Sequence, residues 1–176
     1  MILVTVGTGN VYGFDRLIRK MDEIAGVIDD DVVMQIGCTK YEPKNCKYFR
    51  FIFKKDMDRL YADSKVVVCH AGIGSIISAM EFSKPTILVP RKKIFNEHID
   101  DHQTEIARFV ENKMKVVYNI DDLEILLRDV SSIPIPSFKA DHSLINNLKN
   151  YFKELDSNSH KNRRLYTLKN IEFFSN

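Results

Sequence analysis

The chain carries almost no net charge: 26 Lys and Arg face 24 Asp and Glu, leaving +2 at pH 7. So weak a field gives no argument for nucleic acid as a partner. Charges of both signs are mixed along most of its length. The one basic cluster, Lys161, Arg163 and Arg164, reads as solvated surface in a polar tail. Cysteine is scarce as well. Cys38, Cys46 and Cys69 show neither metal nor redox spacing, which excludes a disulfide framework and fits a reducing compartment. No apolar run approaches the roughly 20 residues that span a bilayer. Met1 leads straight into a strand with no secretory leader before it. The expectation is a cytoplasmic protein that reaches a membrane, if it does, through something else. Internal repeats and low-complexity runs are also missing. What remains is ordinary globular composition, 44% hydrophobic and 28% charged, over 176 residues, about one domain's worth with a sizeable core.

Strand and helix patterns alternate along that domain. Strands are expected over 2–6, 32–36, about 49–53, 65–69, 86–89 and 115–118. Helices are expected over 15–25, 57–62, from the glycine loop to Lys84, over 103–112 and over 121–128. The first helix has Leu17, Ile18, Met21, Ile24 and Ala25 at helical spacing, with Asp15 at its start; Asp121 is the expected cap of the last. Strands separated by helices imply right-handed βαβ units. The fold class is therefore α/β, a Rossmann-like parallel sheet with helices on both faces. Pro134 and Pro136 close this region. Residues 1–130 are expected to form a Rossmann-like donor-type domain and 131–176 a helical extension packing on it or on a partner. That extension has a helix over 142–155, carrying Leu144, Ile145, Leu148, Tyr151, Phe152 and Leu155, and a final one holding Tyr166, Leu168, Ile171, Phe173 and Phe174.

Ligands in such sheets bind at the carboxyl ends of strands, and three loops there draw notice. The first, Gly7-Thr8-Gly9-Asn10-Val11-Tyr12-Gly13, resembles a dinucleotide fingerprint but breaks it. The sixth position is Tyr12, and the second strand ends in Ile36-Gly37-Cys38 without the carboxylate that a ribose needs. NAD is rejected on that ground; the loop is either a tight turn or an approach to a phosphate, sugar or acceptor. The second, His70-Ala71-Gly72-Ile73-Gly74-Ser75, follows an apolar strand and opens a helix. Unpaired amides and the positive helix end suit a phosphate, the glycines allow close approach, and Ser75 either caps or donates. The third, from Arg91 to Gln103, packs Arg91, Lys92, Lys93, Asp100, Asp101, His102 and Gln103, residue types that read hydroxyls and offset diphosphate charge. His98 and His102 beside Asp100 suggest a metal, but the run precedes a helix and lacks a protease zinc signature, so no metal is expected. Hydrolysis by Ser75 or Cys69 with His70 lacks a nucleophile elbow. Two such loops on adjoining strands suggest a nucleotide-sugar site.

These residues resemble a family. The His70–Ser75 loop, Lys84-Pro85, the strand leading to Arg91-Lys92-Lys93, and the run Phe95 to Ala107 are similar to the C-terminal domain of glycosyltransferase family 28, as is the opening Val6-Gly7-Thr8-Gly9. The resemblance covers roughly residues 1–128. Within the family it extends above all to bacterial subunits that build capsular or exopolysaccharide. It extends also to the catalytic subunit of the eukaryotic enzyme that adds the second GlcNAc to dolichol-linked oligosaccharide.

The resemblance implies one half of a GT-B enzyme split over two chains. This chain would hold the UDP-sugar, while a membrane-associated partner subunit would bind the lipid-linked saccharide acceptor at the inner face of the membrane. Gly7, Thr8 and Gly9 would face the cleft between subunits. Gly72, Gly74 and Ser75 would contact the diphosphate, with His70 near the nucleotide and Arg91 offsetting charge. Asp101, His102 and Gln103 would meet the donor sugar or ribose. Many relatives place a glutamate for the ribose where this chain has Ser78; Glu81, one turn on, is the substitute to consider. Asp101 would steady the positive anomeric carbon, and the general base would come from the partner or from His98 or His102. No metal would be required. A non-catalytic regulatory or scaffolding subunit with a vestigial nucleotide site is the alternative.

Overall fold

A computed structural model of the chain describes residues 1–9 and 11–136. Within them a six-stranded, wholly parallel sheet has the order β3-β2-β1-β4-β5-β6. Its strands are β1 (Ile2–Thr5), β2 (Val32–Gln35), β3 (Lys47–Phe49), β4 (Val66–His70), β5 (Thr86–Val89) and β6 (Lys115–Val116). The helices are α1 (Asp15–Ala25), α2 (Lys54–Asp63), α3 (Ile73–Glu81), α4 (His102–Val110) and α5 (Leu123–Arg128).

The central strands are short, apolar and buried on both faces, as parallel strands covered by helices must be. Ile2 and Val4 of β1, Val66 and Val68 of β4, and Ile87 and Val89 of β5 share one core with Leu17, Ile18 and Met21 of α1 and with Leu123 and Leu127 of α5. The alternating residues Leu3, Val67 and Leu88 are equally buried, so the opposite face is covered too.

β1 pairs with β2 through Ile2↔Val32 and with β4 through Ile2↔Val66. The chain winds outward from β1 in one direction to β3, then crosses back to lay β4, β5 and β6 on the other side. The strand order therefore reverses between β1 and β4. A crevice opens at the carboxyl ends of strands at such a reversal, and the loops after β1 and β4 border it.

Some expected boundaries move. The strand expected at about 49–53 lies earlier, because β3 pairs with β2 through Val33↔Lys47 and Gln35↔Phe49. Phe51 and Phe53 are then left outside the sheet, 53% and 84% exposed. Asp121 is not the cap it was expected to be. A 3₁₀ turn, Ile120–Asp122, precedes α5; the Asn119 carboxamide oxygen accepts from the Asp121 amide at 3.3 Å, and the Asp121 carboxylate pairs with Lys20 at 3.1 Å. The helices expected over 142–155 and at the C-terminus, and with them the extension as a unit, lie outside the described residues.

Asp22 explains how the loop after β2 is fixed. It is a buried carboxylate on α1 that accepts the Tyr41 hydroxyl at 2.6 Å, the Lys44 amide at 3.0 Å and the Asn45 amide at 2.7 Å. Burial alone would raise its pKa. The Tyr41 hydroxyl and the Asn45 and Lys44 amides outweigh that and hold the carboxyl below the usual range.

Candidate functional site: glycine loops at the strand-order reversal

β4 ends at His70, and Gly72 is the residue on which α3 begins, with φ −92° and ψ 145°. No side chain caps this helix. The amides of its first turn lie beyond the reach of intrahelical acceptors and carry the positive end of the helix dipole. Gly74 lies in that turn with open space beside it: an added Cβ would meet nothing within 4 Å.

Gly72 faces His70. A Cβ there would stand 2.3 Å from His70 Nε2, and one on Gly7 would stand 2.6 Å from Cε1 and 3.0 Å from Nε2. Two glycines from two loops thus approach the same edge of one imidazole. Gly7 also has φ +74°, a left-handed conformation that suits a residue without Cβ. At the other end of the ring, Nδ1 lies 3.2 Å from Ser75 Oγ. Ser75 is thereby committed to His70 and does not cap the helix, one of the two roles the sequence left open. Burial, then the nearby Arg91 guanidinium, pushes the pKa of His70 down to about 3. The imidazole is neutral at physiological pH and packs against the glycine backbone without bringing charge.

The Gly7 loop is held by a residue that sequence reasoning missed. Gln35, at the end of β2, donates Nε2–H to the Gly7 carbonyl at 3.0 Å and accepts from the Gly7 amide at 3.2 Å. Thr5 hydroxyl donates to the same carboxamide. The available signal was a glutamine ending an otherwise apolar strand. Thr8 and Gly9, beyond this clamp, are exposed.

The loop after β5 differs from expectation at Arg91. Expected at a diphosphate, Arg91 is instead buried, with its guanidinium donating to the carbonyls of Val6 at 2.8 Å, Tyr12 at 2.9 Å, Gly13 at 3.2 Å and Glu97 at 3.0 Å. Four acceptors leave only Nε without a partner. The residue staples the loop after β1 to the loop after β5. Glu97 is buried beside it, taking Arg16 at 2.8 and 3.0 Å and the Lys92 amide at 2.9 Å. This network too was unread in the sequence, where Glu97 is one acid among many. Between the same two loops lies a cleft of about 530 Å³, lined by Tyr12, Arg16, Lys40, Phe95 and Glu97 among others; it adjoins the glycine loop without including it.

Gln103 is buried, and its Oε1 accepts the Arg91 amide at 3.2 Å. Asp101 precedes α4 and accepts the Lys93 amide at 2.8 Å through one carboxylate oxygen. His98 and His102 turn toward Asp100: His98 Nδ1 lies 3.1 Å from Asp100 Oδ1, and His102 Nδ1 contacts the same oxygen. Burial, then His102, lowers the pKa of His98, which leaves it neutral near pH 7. At the helix position where a ribose carboxylate was sought, Ser78 interacts with the Tyr61 hydroxyl, while Glu81 is exposed.

The structure thus brings Gly7, His70, Gly72 and Ser75 into one cluster at the strand-order reversal. It places Gly74 beside them with a free approach, and ties the loop carrying Asp101, His102 and Gln103 to the first loop through Arg91.

Among known proteins the chain is 29% identical to the UDP-N-acetylglucosamine transferase subunit ALG13 of Debaryomyces hansenii, over 51% of this chain and 41% of that protein. It is 38% identical to the UDP-N-acetylglucosamine–N-acetylmuramyl-(pentapeptide) pyrophosphoryl-undecaprenol N-acetylglucosamine transferase of Bacteroides thetaiotaomicron, over 45% of this chain and 20% of that protein. The chain spans less than half the length of these curated relatives. The solved structure of CalG4, the calicheamicin glycosyltransferase, shares its fold with a TM-score of 0.54 at 15% identity, over 74% of this chain and 34% of that one. The sheet is the Rossmann-like kind that makes one half of a GT-B glycosyltransferase. A family model, the glycosyltransferase family 28 C-terminal domain, matches residues 1–167, and the chain belongs to that family.

Proposed function

We propose that this chain is the donor-binding catalytic subunit of a two-chain inverting glycosyltransferase. It moves a sugar from a UDP-sugar to a lipid-linked saccharide. The observation that carries the reading is the uncapped start of α3, with Gly74 open beside it at the strand-order reversal, in a chain of family 28. The diphosphate sits against the first-turn amides of Gly74 and Ser75 and is met by the helix dipole, which stabilises the charge growing on the UDP leaving group. That step uses no metal. His70 stays neutral and positions Ser75. Gly7, Thr8 and Gly9 face the acceptor side. The free oxygen of Asp101 steadies the cationic anomeric carbon, with His102 and Gln103 reading sugar hydroxyls. The acceptor proton goes to a base of the partner or to His98 or His102.

Support for a partner comes from the carboxyl edge of the sheet. Val11, Phe53 and Ile94, from the loops after β1, β3 and β5, are 77%, 84% and 83% exposed, as a buried interface would require. No helix among the described residues is long and apolar enough to cross a membrane. The proposed location is therefore the cytoplasmic membrane face, reached through that partner. The two curated relatives are named for UDP-N-acetylglucosamine, which makes it the first donor to try. A role in capsular or exopolysaccharide synthesis rests on the sequence resemblance alone.

Ser78 in place of a ribose carboxylate and the fully engaged Arg91 favour the second reading, a regulatory subunit with a vestigial site. Calorimetric titration with UDP, UDP-GlcNAc, UDP-glucose, UDP-galactose, UDP-glucuronate and NAD tests the first. Binding of UDP and one UDP-sugar, lost in a folded Gly74→Asp variant, is the expected result. Undiminished UDP binding in that variant overturns the site assignment. Transfer by the two-chain complex that survives loss of Ser75 and Asp101 selects the second reading.

A further inference from the structure

We propose that His98, Asp100 and His102 form a binding site for a divalent transition-metal ion, with zinc the ion to test first. The three side chains converge although they precede α4 and do not lie on it. Each offers one donor atom, and the three atoms all lie within 4.8 Å of one another. His98 Nδ1 is 3.1 Å from Asp100 Oδ1, and the two imidazoles meet edge to face with centroids 4.4 Å apart. The objection raised by the sequence was that the run lacked helical spacing. The loop itself removes it, because the turn after the 3₁₀ segment Lys93–Phe95 performs the convergence.

Two imidazole nitrogens and one carboxylate oxygen make a donor set for zinc and other first-row ions, with a coordination position left open for water or substrate. Zinc bonds of about 2.0–2.2 Å place donors roughly 3–4 Å apart, so small side-chain rotations from the present positions suffice. The surroundings hold the donors in place. The Tyr12 ring stacks on His98 at 6.0 Å and 24°, and the His102 amide donates to Asp100 Oδ1 at 3.2 Å. Using Nδ1 of each ring leaves both Nε2 atoms free. An ion there would lock the segment before α4, which carries the residues proposed to read the donor sugar, without taking part in leaving-group stabilisation at α3.

The site needs no nucleotide, so its test is independent of the donor reading. Zinc chloride is titrated into the full chain after chelator treatment, in the absence of UDP, and the heat is recorded. One ion per chain is expected. Asp100→Asn, nearly isosteric at an exposed position, should weaken it at least tenfold, and the double variant His98→Ala/His102→Ala should abolish it. The other two surface-candidate histidines of the sequence, His142 and His160, provide the control: their double alanine variant should bind zinc as the parent does. Circular dichroism verifies that each variant is folded. No binding by the parent, or zinc binding that persists in the folded His98→Ala/His102→Ala chain, overturns the proposal. UDP titration of the same metal-free protein reports separately on the donor site.

Discussion

Gly72 and Gly74 stand two residues apart, yet alanine at each should do opposite things. At Gly74 the new methyl meets nothing within 4 Å. The position is in the first turn of α3, where alanine improves helix propensity by up to about 1 kcal/mol. The ligand-free fold should therefore be unchanged or raised in Tm by a few degrees, roughly 2–4 °C per kcal/mol for a chain of this size. UDP should lose at least tenfold in affinity, about 1.4 kcal/mol, because a methyl would stand where a phosphate oxygen must come within about 2.9 Å of backbone amides. At Gly72 the methyl would lie 2.3 Å from His70 Nε2 and 2.8 Å from Cδ2, against an ordinary contact of 3.4 Å or more. The ring must retreat by about 1 Å, toward a Ser75 hydroxyl already 3.2 Å from Nδ1. Such overpacking costs about 1–3 kcal/mol. Thermal unfolding of both variants, followed by UDP calorimetry on Gly74→Ala, checks the pair. A Gly74→Ala chain that binds UDP like the parent refutes a phosphate site at α3. A Gly72→Ala chain as stable as the parent refutes the close fit of His70 against the glycines.

Removing Arg16 leaves the buried Glu97 carboxylate without its bidentate partner; Arg16→Ala should cost about 3–5 kcal/mol in urea unfolding, and a loss below 1 kcal/mol would contradict the network. Asp22→Asn should cost about 1–3 kcal/mol at pH 7. Because the folded Asp22 pKa is depressed, its contribution is present above the unfolded value near 3.8 and lost as pH falls through the folded one; a gap between parent and variant that widens in acid would contradict this. His70 is held at about 3 against 6.5 when unfolded. Between those values the unfolded chain binds the extra proton, so stability should fall with falling pH by on the order of 1 kcal/mol per unit. His70→Gln should flatten that slope in urea titrations at pH 7, 6, 5 and 4, and an unchanged slope would move the effect elsewhere. Burial pushes the Cys69 thiol, and burial with Asp22 the Cys46 thiol, up to about 12. Both should resist iodoacetamide at pH 8 while the chain is folded; mass-spectrometric mapping that finds either labelled at the rate of a free thiol counts against it.

The sequence by itself determined the alternation of elements, because each carries a local pattern. Leu17, Ile18, Met21 and Ile24 mark α1 at 3.6-residue spacing, and runs such as Val66-Val67-Val68 mark strands buried on both faces. It also made the glycine loop legible, since a strand followed by small residues and a helix leaves few other uses for Gly72 and Gly74. Edge positions were less legible. Phe51 and Phe53 looked like strand residues, but only pairing with β2 decides the register, and it ended the strand at Phe49. The tertiary structure alone decided what the charged and polar residues do. Arg91 looked like a phosphate ligand until four carbonyls from two loops claimed its guanidinium. Gln35 gave no sign that it clamps Gly7, 28 positions away. His98, Asp100 and His102 converge through a turn with no repeating period to read. Apolar burial is recorded in sequence as periodicity, since it depends on which face a residue occupies. A hydrogen bond or an ion pair depends on which groups arrive within about 3 Å, and that is known only once the strands have set the loops side by side.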